Sequence, residues 1–355
     1  MFEAALYASN WKRSVERWAW SSRTQQPERK PMTKVSKAFW MGVWSVCYGV
    51  RRLFGGKPAR NQSYRTPIVS LQGEYAQMLD AARKGDVAAQ VKLAVAYSEG
   101  RGVAQDYAEA AHWFREAAQQ GDVGAQFSNA VCYANGQGVA QDYQEAVKWF
   151  RLAAAQDHAG AQVSLGLCLQ KGLGTSANPQ EAALWFRRAA IQGEPAAQVS
   201  LASCLQTGNG VTQDEAQAVE WFRQAAAQGV AEAEFNLGRC YQEGRGLESD
   251  LIQAFKCFNI AAQKGLGPAQ YELGICYEDG NGTETNLVEA YKWLTLAANR
   301  AVPSAAERRE ELIAKMSSQE LAEAEKCVAR ALPKSKDIKP AAQPDLEDSV
   351  IIHAE

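Results

Sequence analysis

The sequence predicts an all-α chain, a right-handed α/α solenoid of helix-turn-helix repeats with a 36-residue period. Three observations carry that expectation. First, "NGQGVAQDYQEAVKWF" at 135 recurs as "EGRGVAQDYAEAAHWF" at 99, "KGLGTSANPQEAALWF" at 171, "TGNGVTQDEAQAVEWF" at 207, "EGRGLESDLIQAFKCF" at 243 and "DGNGTETNLVEAYKWL" at 279, in steps of 36 residues. Second, apolar residues stand four apart before each of these stretches, as Ala89, Leu93 and Tyr97 do, which places them on one helical stripe. Third, each stretch passes from glycine to Asp or Asn to a second apolar run, the order of a helix stop and a helix start. A fixed period of this length is the signature of a stacked array.

The units begin at Gly85, Gly121, Asp157, Gly193, Gly229 and Gly265, with a divergent one at Ala301. In the first helix of each, a small residue follows the Leu position (Ala94, Ala130, Gly166, Ala202, Gly238, Gly274) and admits a neighbouring helix closely. Gly100, Gly136, Gly172, Gly208, Gly244 and Gly280 suit the left-handed conformation that closes a helix. Asp106, Asp142, Asn178, Asp214, Asp250 and Asn286 then cap the second helix, with Glu or Gln three residues on. That spacing predicts a capping box, in which the Asx side chain accepts from the N3 amide and the Glu or Gln reaches back to the N-cap amide. Trp113, Trp149, Trp185, Trp221 and Trp293, each followed by Phe or Leu, are expected to interlock with the paired alanines of neighbouring units. The one Gly-x-Gly-x-x-Ala window, at 172–177, follows a helical pattern, whereas a dinucleotide fingerprint must follow a strand.

The repeated pattern, Ala-x3-Leu-Gly-x2-Tyr-x2-Gly-x-Gly-Val-x2-Asp-x3-Ala-x2-Trp-Phe-x2-Ala-Ala, resembles the Sel1-like repeat family, α/α solenoids related to tetratricopeptide repeats. The resemblance covers residues 85–300 in six units. Asn129 at the Leu position and Leu169 and Leu205 at the Tyr position depart from it. It implies a protein-interaction scaffold or adaptor from a bacterial source. It also raises two alternatives, a cell-wall or β-lactam-type hydrolase and an exported effector using the same groove.

Around the array, residues 66–84 read as an N-terminal half-repeat cap, 301–331 as a C-terminal capping helix pair, and 332–355 as a disordered Pro-, Lys- and Asp-rich tail. "SSQE" at 317–320 opens the last helix with a capping box. Residues 1–65 form a basic, aromatic-rich arm with 13 Lys/Arg against 3 Asp/Glu, while the remainder has 25 against 37. An acidic body is a poor nucleic-acid binder, so no nucleic-acid partner is expected. In the arm, "AFWMGVWSVCYGV" is too short to cross a bilayer as a helix. Trp40, Trp44, Arg51 and Arg52 instead suit a membrane interface, with peripheral contact through residues 37–54. The corresponding location is cytoplasmic and membrane-associated, or periplasmic or secreted if residues 32–58 act as a signal or anchor. A disordered or mis-assigned start is the third reading.

Five of eight cysteines (Cys132, Cys168, Cys204, Cys240, Cys276) share one repeat position, held by Ala96 in the first unit. Stacked helices lie about 8–10 Å apart, too far for disulfide geometry, so these read as small buried residues. Some secreted relatives of the resembled family staple each unit with two cysteines, and here there is one. With three histidines in the chain, no metal, cofactor or catalytic residue is assigned. The array contains no Ser-x-x-Lys, and no His-Glu-x-x-His, Gly-x-Ser-x-Gly or phosphate-loop motif occurs. The candidate binding residues lie on the first helices, opposite the core stripe: Val91, Val95, Phe127, Val131, Leu167, Phe235, Arg239, Tyr271 and Ile275. Two readings stand open for them: packing between neighbouring first helices, or an apolar-floored, polar-rimmed concave groove for a peptide or helix of a protein partner.

Overall fold

A computed structural model describes residues 68–331, with side chains from residue 75. The arm, the tail, and with them Trp40, Trp44, Arg51 and Arg52, lie outside the described residues. Within them the chain forms fifteen α-helices and no strand. A lone helix α1 (Ile68–Arg83) precedes six pairs: α2 (Val87–Glu99) with α3 (Tyr107–Gln119), α4 (Val123–Asn135) with α5 (Tyr143–Ala155), α6 (Ala159–Lys171) with α7 (Pro179–Ile191), α8 (Pro195–Thr207) with α9 (Glu215–Ala227), α10 (Ala231–Glu243) with α11 (Leu251–Gln263), and α12 (Gly267–Asp279) with α13 (Leu287–Ala298). Helices α14 (Ala305–Ile313) and α15 (Ser318–Ala331) close the array against α13. Every even-numbered helix from α2 to α12 packs on the helix before it and the helix after it, which gives a first-helix layer and a second-helix layer.

The first helices end as the sequence expects. Gly100, Gly136, Gly172, Gly208, Gly244 and Gly280 are left-handed, with φ between 66° and 75°. Each glycine amide and the amide after it donate to one carbonyl, that of Ala96 in the first unit and of the repeated cysteine in the others. The second glycine of the turn has a separate job. A Cβ on Gly138, Gly174, Gly210, Gly246 or Gly282 would lie 1.8–2.2 Å from the backbone carbonyl that opens the preceding unit's second helix, at Tyr107, Tyr143, Pro179, Glu215 and Leu251 respectively. The turn therefore lies directly on the preceding unit. Gly102, in the first unit, has nothing to meet.

Only half of the expected capping box forms. Asp106, Asp142, Asn178, Asp214, Asp250 and Asn286 each accept from the N3 amide, as anticipated. Their own amides, however, donate to first-helix carbonyls at Tyr97, Tyr133, Leu169, Leu205, Tyr241 and Tyr277. With that donor already satisfied, the N3 carboxylates turn elsewhere. Glu181 accepts from Arg151 and from the Trp185 indole, and Glu289 from Lys292 and the Trp293 indole. The reciprocal box does form at the last helix, where Ser317 and Glu320 exchange backbone and side-chain bonds.

The core belongs to the second member of each Trp-Phe pair. Phe114, Phe150, Phe186, Phe222, Phe258 and Leu294 are buried, as is Trp113, whereas Trp149, Trp185, Trp221 and Trp293 are half-buried and pack against the core from its edge. Small residues on the first helix make room for the ring or its substitute. A Cβ on Gly166, Gly238 or Gly274 would stand 2.5–2.8 Å from Phe186, Phe258 or Leu294. A second device escaped sequence reading. Buried Gln90, Gln126, Gln162, Gln198 and Gln270 each donate to a carbonyl near the end of the preceding unit's second helix, from Ala82 to Ala262. Each also accepts, at 2.8–3.0 Å, from Gln120, Gln156, Gln192, Gln228 or Arg300.

First-helix N-caps change along the array. Asp86, Asp122 and His158 accept from a first-turn amide, but Glu194, Val230 and Leu266 make no side-chain cap bond. Val230 and Leu266 are buried instead.

Two substitutions test this account in urea denaturation. Gly138→Ala is expected to destabilise the array well beyond Gly102→Ala, because both lose a left-handed glycine at about 1 kcal/mol but only the first drives a methyl into a backbone. Equal effects would refute the contact. Asn129 is 1% exposed at a Leu position, with neither amide atom hydrogen-bonded. Asn129→Leu is expected to stabilise by about 1–3 kcal/mol, the penalty of an unsatisfied buried polar group, and a lowered midpoint would count against this.

Candidate interaction surface

The first-helix candidates divide into two groups. Phe127, Val131 and Phe235 are buried and belong to the core. The Phe127 ring tilts against Phe150 at 5.9 Å and stacks on His158 at 4.6 Å, and Phe235 tilts against Phe258 at 5.9 Å. Their size fills the space between first and second helices, so they cannot line a partner site. Val91, Val95, Leu167, Arg239, Tyr271 and Ile275 are half-buried and stay at the surface. Arg239 is held by Glu243 at 2.7 Å, one turn on.

The expected polar rim is closed over most of its length. Ser128, Ser164, Ser200 and Asn236 are buried. Ser164 and Ser200 donate to the carbonyls of Gly160 and Ala196 on their own helices. What remains accessible is a narrow row through Val95, Leu167, Ser203, Arg239 and Ile275. Beside it stand the exposed helix ends Lys171, Thr207, Glu243 and Asp279. Between the first two units lies a cavity of about 20 Å³, lined in part by Phe114, Phe127, Val131 and Cys132. That is room for one water, far below the volume of a metabolite pocket.

Two buried carboxylates were missed, and each has a sequence signal. Glu232 stands where other units have Ala88, Gly124, Gly160, Ala196 and Pro268. It is 1% exposed, and its Oε2 has no partner. Burial raises its pKa to about 8. One turn further along α10, the Asn236 Nδ2 is also buried without a partner. Glu278 takes the place of Gln170, Gln206 and Gln242. Burial alone would push it up, but bonds from Lys315 at 2.6 Å and Arg308 at 2.8 Å outweigh that and hold it below the usual carboxylate range. This triad ties the closing helices to the sixth unit.

The cysteine row is buried and unpaired. Desolvation pushes Cys132, Cys168, Cys204 and Cys276 up to about 12, so the thiolate needed for nucleophilic or redox chemistry is disfavoured there. Among the described residues no group of three or more His, Cys, Asp or Glu side chains is placed to hold a metal ion. No described helix is long and apolar enough to cross a membrane.

Paired helices at a constant period, joined by a glycine turn that seats on the unit before, define an α-solenoid repeat protein. The Sel1 repeat model matches residues 87–122, 124–158, 159–194, 195–230, 231–266 and 267–302. That is more than half of the chain, and the chain belongs to the Sel1 repeat family. It is similar to a Sel1 repeat protein from Oxalobacter formigenes, with 32% identity and a TM-score of 0.58 over 65% of this chain and 94% of that one. A protective antigen of uropathogenic Escherichia coli, c5321, matches at 27% identity and a TM-score of 0.39 over 72% and 78% of the two chains. A putative Sel1 repeat protein from Klebsiella pneumoniae matches at 24% identity and a TM-score of 0.36 over 56% and 97%. No curated protein matches the chain.

The pH response of stability tests the placement of Glu232. Its folded pKa of about 8 lies above the ordinary glutamate value. The folded state therefore holds a proton that the unfolded state releases, and stability falls as pH rises from about 4.5 through 8. Glu232→Ala, which copies the residue at position 196, is expected to flatten this part of the profile and to raise the urea midpoint at pH 8. An unchanged profile would mean that the carboxylate is solvated.

Proposed function

We propose that this protein is a non-catalytic interaction scaffold that holds a peptide or helix of a protein partner along its first-helix layer. Sel1 repeats generally mediate protein–protein interaction, and this array has the form such a role needs. The observation that carries the reading is the row Val95, Leu167, Ser203, Arg239 and Ile275, which share one repeat position in five of the six first helices and are still partly accessible where neighbouring positions are closed. A rigid, periodic row that is mostly apolar with one charged member suits an extended or helical segment, which repeats its own side chains at fixed intervals. On the sequence of the arm alone, we extend it to a cytoplasmic protein with peripheral membrane contact through residues 37–54, which fractionation with and without the arm tests.

The full chain and a Leu167→Asp, Ile275→Asp variant are to be compared in pull-downs from native lysate, with circular dichroism showing both folded. A partner retained by the native chain and lost by the variant supports the scaffold. The same partners on both sinks it. Phe127→Asp and Phe235→Asp serve as opposite controls and are expected to unfold their units. Turnover of a β-lactam or of cell-wall fragments by the purified chain would replace this reading with the hydrolase alternative.

A further inference from the structure

Among the described residues the exposed large apolar side chains lie on second helices, on α5 and α7 and, as Leu251, Ile252 and Ile260, on α11. Leu152 on α5 is 49% exposed, and Leu184 and Ile191 on α7 are 61% and 72% exposed. The repeat does not demand this. At the place of Leu152 three other units have Glu116, Arg188 and Gln224 and two have Ile260 and Leu296, while at the place of Leu184 the others have His112, Lys148, Glu220, Lys256 and Lys292. Leu184 and Ile191 are two turns apart and share one face of α7. Helix α5 lies alongside, tied to α7 by the Arg151–Glu181 ion pair at 2.6 Å.

The charge around this face is unlike that of the body as a whole. Arg187 and Arg188 are exposed between Leu184 and Ile191, and neither forms an ion pair with a described residue. The Arg188 guanidinium sits 4.7 Å from the centre of the half-buried Trp185 ring. Aliphatics, a tryptophan and unpaired arginines on one face form the composition of a protein interface rather than of a solvated helix. The basic arm, with 13 Lys/Arg against 3 Asp/Glu, would be repelled there. The segment "DLEDSVII" at 345–352 is its complement, with three acids beside four aliphatics.

Reach decides which copy supplies that segment. The described chain ends at Ala331 on α15. Thirteen residues then lead to Asp345, spanning about 45 Å fully stretched but only about 20 Å as a flexible coil. From α15 back to α7 there are four second-helix steps, about 32–40 Å at 8–10 Å each. A chain's own segment would have to be drawn nearly taut. A neighbouring molecule's segment carries no such limit.

We propose that Leu152, Leu184, Arg187, Arg188 and Ile191 form a docking face for the 345–352 segment of a second copy of this chain, and that two copies exchange these segments. Such an exchange buries the same face on both copies and closes as a dimer. It uses the second-helix layer, so it stands or falls separately from partner binding on the first helices.

Sedimentation velocity of the full chain over a range of concentrations is the test, with Leu184→Asp/Ile191→Asp and, separately, Ile351→Asp/Ile352→Asp. The expected result is a concentration-dependent dimer that either variant weakens at least tenfold, and that weakens with added salt. Mixing the two variants is expected to restore a heterodimer, because one intact face then meets one intact segment. A monomer at every concentration, including one whose segment folds back on itself, overturns the proposal. So does a dimer that survives either pair of substitutions, or a mixture that shows no heterodimer.

Discussion

The array depends on a contact between backbones. At the second glycine of each turn from the second unit onward, the chain lies so close to the carbonyl of the preceding unit that a single methyl group would collide with it. That contact fixes where each turn sits on the unit before it, and with it the height of every helix that follows. Any insertion within a unit would lift the turn off its seat, which is one physical reason for a constant 36-residue step. The buried glutamines reinforce the same registration from the other end of the unit. Each joins a carbonyl of the preceding second helix to a side chain at the end of its own unit's second helix. Hydrophobic burial between these two anchor points is then nearly uniform, so stability accrues unit by unit through nearest neighbours.

Much of this was legible in the sequence because it repeats. The period, the left-handed glycines, the Asx caps and the buried cysteine row are each written six or five times, and chance does not repeat at a fixed step. What the sequence could not settle was which of two chemically sound partners a group would take. Glu at N3 can reach back to the cap amide, and Ser317–Glu320 shows that it does so where nothing competes. In the six units the cap amide already donates to a first-helix carbonyl, and Glu145, Glu181 and Glu289 turn instead to lysine, arginine or tryptophan. The Trp-Phe pair was legible only in part. Both rings are large enough for the core, and only packing shows that the phenylalanine enters while most of the tryptophans remain at the boundary.

The binding face was the least legible part. Val and Phe opposite the core stripe were consistent with a groove or with packing between helices. The structure assigns Phe127, Val131 and Phe235 to packing and leaves Val91, Val95, Leu167, Arg239, Tyr271 and Ile275 partly accessible. The helical wheel treats all positions at one angle alike, whereas the approach of the next unit covers some and spares others. Asn129 stood out as a break in an otherwise apolar column, and Glu232 could have been flagged in the same way. A break marks a place where the repeat is not obeyed, without saying why.

The first-helix caps give the array a chemical direction. Its first three units begin their first helices on Asp86, Asp122 and His158, whose side chains each accept from a first-turn amide. The fifth and sixth begin on Val230 and Leu266, which trade that bond for burial. A capping hydrogen bond fixes the direction from which the chain enters a helix, whereas apolar burial fixes only which side chain is covered. The two ends of the same array thus start their first helices by different chemistry, and a substitution at this one position would remove a directed bond at one end and a buried side chain at the other.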